Sequence, residues 1–188
     1  PVDAEFPNMG RNELNKFVDH VVGVDAQPIV VSREIYEAGV TALTADQVRA
    51  IYRGEITNWS QISAYDGPSK EIQVVGRAKG SGTDTAFRVN MLGSSDARME
   101  TDARKGQNQQ VKNLVSNSDN AIAYMALAFT TDEVPAISLS FGDKEYVPGE
   151  NLADPEYPLS RDLHCYTYQG TSKRSEEHTS ELQSHAPI

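Results

Sequence analysis

The residues best suited to chemistry stand together in "GRAKGSGTDTAF", residues 76–87: Arg77, Ser81, Gly82 and Thr83. The guanidinium of Arg77 can give a tetrahedral oxyanion a bidentate, charge-assisted pair. Ser81 and Thr83 offer hydroxyl donors on either side of Gly82, whose missing side chain lets a ligand approach the backbone. Such a set suits phosphate and also sulfate. The strand-like "EIQVVGR" (71–77) leads into this loop and a helix-forming run follows it. Several backbone N–H groups and the positive end of a helix dipole would then point at one place. A capped helix start with no ligand uses the same glycine and serine, so the loop alone leaves both readings open.

Three enzymatic readings of the loop fail. A nucleotide-binding P-loop needs G-x4-G-K-[ST], and no Gly-Lys-Ser/Thr tripeptide occurs in the chain. A dinucleotide fingerprint starting at Gly80 meets Thr85 where its third glycine belongs. A G-x-S-x-G nucleophile elbow meets Lys79 in its first glycine position. No carboxylate pair or nucleophile–base spacing is defensible elsewhere, so no catalytic residue is assigned. His20 and His164 lack metal-type spacing, so no metal site is assigned either.

The elements that must hold the loop can be read from pattern. "VVGVDAQPIVVS" (21–32) is β-branched and apolar with an interruption at Pro28, which predicts a long strand at an edge or crossover. In "LTADQVRAIYRGEITNW", Thr44 and Gln47 make a capping box, Val48, Ile51 and Tyr52 share one face, and Gly54 is the stop. A short helix is predicted over residues 84–92, with Phe87 and Leu92 inward. A second amphipathic helix fits "QNQQVKNLVSN", with Val111, Leu114 and Val115 as its stripe. "NAIAYMALAF" (120–129) fits a buried strand or a helix, and "YPLSRDLHCYTY" ends in an alternating strand. Strands alternating with helices predict an α/β architecture.

With 188 residues and 38% hydrophobic residues, the chain can bury a substantial core. Its net charge of −10 argues against nucleic acid as a partner. The lone cysteine, Cys165, rules out an internal disulfide framework. No stretch is apolar enough to predict a membrane span. "RSEEHTSELQS" (174–184) reads codon by codon as a translated sequencing-library adapter, so residues 174–188 are set aside as an artefact.

The order "VDAQPIVVS", "LTADQVRAIYRGEITNWSQI", "IQVVGRAKGSGTDTAF", "NAIAYMALAF" and "YPLSRDLHCYTY" resembles the phosphate-binding proteins of ABC import systems. The resemblance covers nearly all of residues 23–168. It implies a type 2 periplasmic-binding-protein fold, with two α/β lobes joined by two crossings that close on the ligand. On this basis residues 1–29 are a partial first lobe with the first crossing, and 30–123 are the second lobe. Residues 124–173 then hold the second crossing and the return to the first lobe. The resemblance makes Arg77, Ser81, Gly82 and Thr83 the phosphate ligands of the second lobe.

It further implies an extracytoplasmic, monomeric solute-binding protein that needs no cofactor, is not an enzyme, and delivers inorganic phosphate to the transmembrane subunits of an ABC permease. The rivals are a phosphatase-like enzyme and an oxyanion-binding module in signalling or adhesion. The family's other ligands fall upstream of this stretch, so the chain as given is expected to bind phosphate poorly or not at all and to lack part of its first lobe. Two departures from the family stand out. Lys79 occupies a position where some members carry an acid that orients the arginine, and Ala123 stands where a small glycine is usual. Lys79 is expected to face solvent, Trp59 to pack in the core or between lobes, and Asp84 to stabilise the first helical turn or accept from a protonated ligand. The acidic surface and "NLADPEYPLSRDL" resemble versions from salt-loving archaea.

Overall fold

The computed structural model describes residues 8–152, 154 and 156–169. The stretch set aside as adapter-like, 174–188, lies outside them. The chain divides into two compact units, one spanning Val24–Arg161 and the other formed by the residues up to Gly23 and from Asp162.

The chain opens with a short helix, α1 (Arg11–Leu14), and the long strand β1 (Phe17–Ala26). The pairing run breaks at Gln27 and Pro28, because proline donates no hydrogen bond, and resumes as β2 (Ile29–Val31). Then come α2 (Arg33–Glu37), β3 (Ala42–Thr44), α3 (Ala45–Tyr52), β4 (Gln73–Arg77) and α4 (Gly82–Phe87), which continues into a π-helical turn over Arg88–Leu92. After them follow β5 (Ala103–Lys105), α5 (Asn108–Ser116), β6 (Ala121–Tyr124), β7 (Ser138–Phe141), β8 (Lys144–Tyr146) and β9 (Ser160–Tyr168).

The predicted elements form. Thr44 Oγ1 accepts from Gln47 N at 3.1 Å and the Gln47 side chain accepts from Thr44 N at 2.9 Å, which closes the capping box of α3. Gly54 ends that helical stretch at φ 76°, a left-handed conformation that favours glycine. Val48, Ile51 and Tyr52 are fully buried, as are Val111 and Val115 of α5. The ambiguous "NAIAYMALAF" begins as β6, a strand whose four residues are all buried. On both faces such a strand meets protein, so its sequence is continuously apolar and shows no period.

A four-stranded sheet in the order β2–β6–β4–β5 forms the platform of the larger unit. Its β6–β4 and β4–β5 pairs are parallel, and β2 runs antiparallel to β6 with Val30 opposite Ala123. The two runs expected to be the crossings therefore lie side by side. A three-stranded sheet, β3–β7–β8, completes the unit. Because β7 pairs β3 in parallel, Leu139 opposite Leu43, residues 124–161 pack in the same unit as 30–123. The compact unit thus runs past the expected lobe boundary at 123.

One core lies under α3 and α4, where the Phe87 and Tyr124 rings stack 3.9 Å apart and Tyr52 tilts against both. Trp59 is fully buried in this core and donates to Asn120 O at 2.9 Å. A smaller core joins Val30, Val75, Ala123 and Met125 to the inner face of α5. β1 pairs β9 in a two-stranded ribbon. Along its smaller-unit part the ribbon, including the strand β9 expected to alternate, is largely exposed, with Val21 and Val22 of β1 at 60 and 64% and Leu163 of β9 at 41%. His20 and His164 are also exposed there, against Thr167 and Asp19.

Candidate functional site

Arg77 is the last residue of β4, where the strand emerges from the sheet beside β5. Its side chain is clamped from the turn between β5 and α5. Nε donates to Lys105 O at 3.2 Å, Nη2 to Gly106 O at 2.8 Å, and Nη1 to Asn108 Oδ1 and to Thr83 Oγ1, the latter at 3.3 Å. Gln110 Oε1 accepts from Gly106 N at 3.1 Å and so steadies the carbonyl that Arg77 uses. The Arg77 backbone N–H donates to the Tyr124 hydroxyl at 3.2 Å. Every acceptor found for the guanidinium among the described residues is neutral, although its residue is only 6% exposed. Burial lowers its pKa, and the positive charge of Arg161 pushes the same way, against Tyr124 and Asp84.

Backbone and amide oxygens, with the Thr83 hydroxyl, are what orient Arg77. Lys79 itself is exposed. No local signal marked Asn108, which accepts from Arg77, or Gln110, which holds Gly106, because the parallel β4–β5 pairing brings that turn to Arg77.

Gly80 makes the turn at φ 80°. Ser81 caps α4, its Oγ accepting from Asp84 N at 3.2 Å. Gly82 is exposed and Thr83 buried with its hydroxyl on Arg77. The fold thus brings Arg77, Ser81, Gly82 and Thr83 to one loop at one strand end. Asp84 is 1% exposed and points inward. It accepts from Arg88 at 2.9 Å, Arg104 at 3.4 Å, Tyr124 at 3.2 Å and Gly80 N at 3.3 Å. Its oxygens are therefore engaged within the protein. Burial, chiefly, and the neighbouring Asp84 carboxylate push the Tyr124 hydroxyl pKa up; the Arg77 N–H opposes them.

A second guanidinium lies at Gly82. Arg161, on β9, donates from Nε and Nη2 to Asp25 Oδ2 at 3.1 and 2.9 Å. A Cβ added at Gly82 would meet Arg161 Nη1 at 2.8 Å. Gly82 therefore gives room to an arginine. Sequence reasoning missed this neighbour because 79 residues, as the numbering counts, separate the two, and nothing local links them.

A family profile for the PBP superfamily domain matches residues 3–182. The chain belongs to this family. Its mixed α/β fold is that of the PBP superfamily, in the type 2 form that the resemblance implied. Among curated relatives, it is similar to the phosphate-binding protein PstS of Bacillus subtilis (strain 168), 29% identical over 157 residues, or 82% of this chain and 48% of that protein. Among solved structures, a Clostridium perfringens protein with bound phosphate, assigned as a phosphate ABC transporter substrate-binding protein, is 25% identical. The match covers 93% of this chain and 68% of that one, with TM-score 0.69. An ABC-type phosphate transport receptor from Vibrio cholerae is 29% identical over 90% of this chain and 66% of its own, with TM-score 0.61. The chain spans about half the length of the curated relatives it matches. These PBP relatives are named as binding proteins or a transport receptor, not as enzymes. Among the described residues, no helix is long and apolar enough to cross a membrane.

Proposed function

We propose that the chain is the oxyanion-binding part of a solute-binding protein that captures inorganic phosphate for an ABC permease, with Arg77, Ser81, Gly82 and Thr83 as ligands. The observation that carries this reading is the buried guanidinium of Arg77, whose acceptors are all neutral, held beside an exposed glycine and two hydroxyl residues. A buried cation without a hydrogen-bonded carboxylate favours an incoming anion, because the anion supplies the compensation that solvent no longer gives. The names of the related proteins point the same way and select phosphate among oxyanions.

The work is capture without chemistry. Binding favours whichever conformation holds the anion better, and a permease recognises that conformation. The protein acts outside the cytoplasm, as a monomer, with the transmembrane subunits of the permease as its partner. In a titration of the 188-residue chain with inorganic phosphate, followed by amide NMR, shifts are expected at Gly80, Ser81, Gly82 and Thr83. Arg77→Ala should lower the affinity by about 100-fold, the cost of removing one partner of a desolvated charged pair. Loop amides that stay still up to tens of millimolar phosphate would overturn the proposal. So would steady turnover of a phosphate ester that depends on Arg77, which would favour the phosphatase-like rival.

A further inference from the structure

Arg77 is not alone at the loop. Arg161 reaches Gly82 from β9, with two of its three guanidinium nitrogens on Asp25 and the third, Nη1, beside the glycine. The Asp25 carboxylate is well covered, at 15% exposure, and Arg161 is at 37%. A fork held on one edge by a carboxylate is fixed in direction, and its remaining edge is presented at a defined place. That place is the backbone position at which an anion would approach.

The two guanidiniums also feel each other, since the charge of Arg161 contributes to holding the Arg77 pKa down. Like charges in a partly desolvated site repel. The fold tolerates the arrangement through Asp25 on one arginine and neutral oxygens on the other. An anion between them relieves the repulsion, and one carrying two charges relieves it more than one carrying a single charge. An arginine that served only to tie β9 to β1 would need Asp25, but would have no reason to crowd Gly82.

We propose that Arg161, positioned by Asp25, is a second cationic ligand of the oxyanion site and biases that site toward doubly charged tetrahedral anions. This rests on the oxyanion reading above. It adds a residue from a different strand, 84 positions further along the numbering than Arg77, and gives Gly82 a function beyond backbone access.

The test compares anions of one shape and different charge: sulfate and inorganic phosphate against perchlorate, at constant pH and ionic strength. Loop amides of the 188-residue chain report the binding. The native chain should favour sulfate and phosphate over perchlorate. Arg161→Gln should reduce that preference by about tenfold, mainly through the doubly charged ligands, and Arg161→Lys should restore part of it. Amide dispersion matching the native spectrum shows that each variant is folded. Should Arg161→Gln not fold, Arg161→Lys decides, because it keeps the charge beside Asp25 but loses the fork, and an unchanged preference then overturns the proposal. If the native chain binds and Arg161→Gln keeps the full preference, the inference falls while the oxyanion reading stands. If no anion moves the loop amides of the native chain, both fall together.

Discussion

Among the described residues, two helices begin with a hydroxyl that accepts from their first turn, and they end up as different objects. At α3, Thr44 and Gln47 close on each other, and the first-turn acid, Asp46, points outward to pair with Arg49 at 2.6 Å. At α4, Ser81 caps in the same way, but the first-turn acid, Asp84, is turned into the core and held by Arg88, Arg104 and Tyr124. One helix start has its own exposed negative charge, and the other has an exposed glycine with Arg77 and Arg161 around it. A capped helix start is thus not an anion site by itself. At α4 the internal acid is withdrawn and neighbouring strands supply cations, which is the arrangement that the proposed function requires.

The largest expected effect comes from undoing the withdrawal. Asp84→Ala leaves Arg88, at 5% exposure, without its carboxylate, and should cost about 3–5 kcal/mol of stability in urea denaturation. The corresponding change at the other helix, Asp46→Ala, removes a surface pair and should cost less than about 1 kcal/mol. Equal costs would show that the two acids do not differ in the way the geometry implies.

The second effect is a pH dependence. Burial raises the pKa of Tyr52, Tyr124 and Tyr157, with Tyr124 adding to the rise at Tyr52 and Tyr146 to that at Tyr157. In the unfolded chain a tyrosine ionises near pH 10, while the folded form keeps its proton to higher pH. Their contribution is therefore complete below about pH 10, and above it stability falls by roughly 1.4 kcal/mol per pH unit for each tyrosine. Tyr52 lies at the end of α3 and Tyr124 under α4. Denaturation curves at alkaline pH for Tyr52→Phe and Tyr124→Phe should each show a shallower fall than the native chain. An unchanged slope in either would mean that the ring does not remain protonated on folding.

The smallest effect separates the two caps directly. Thr44→Ala and Ser81→Ala should each cost about 1 kcal/mol of stability. Only Ser81→Ala should also weaken phosphate binding, by about tenfold for a lost hydrogen bond to a charged ligand. A loss of phosphate affinity in Thr44→Ala would remove the distinction between the two helix starts.

Local order was legible without coordinates. The Thr44 box, the Gly54 stop, the Val111 and Val115 stripe and the strand into Arg77 rest on contacts within a few residues, which periodicity and capping chemistry encode directly. The grouping of Arg77, Ser81, Gly82 and Thr83 was legible for the same reason, since one turn contains them. The alternation of β9 was a poorer guide, because burial depends on what lies across a strand and not on its own pattern.

By itself, then, the sequence determined the helix starts and stops, the strand that delivers Arg77, the grouping of Arg77, Ser81, Gly82 and Thr83 in one turn, and the family to which the pattern belongs. The tertiary structure decided which oxygens orient Arg77, where the charge of Asp84 goes and which second arginine stands at Gly82. Those choices join residues tens to more than a hundred positions apart, as with the 136 that separate Asp25 from Arg161. Hydrogen bonds and Coulomb forces act through space over a few ångströms, so it is the pairing of β4 with β5 and β6, and of β1 with β9, that brings these groups within their reach.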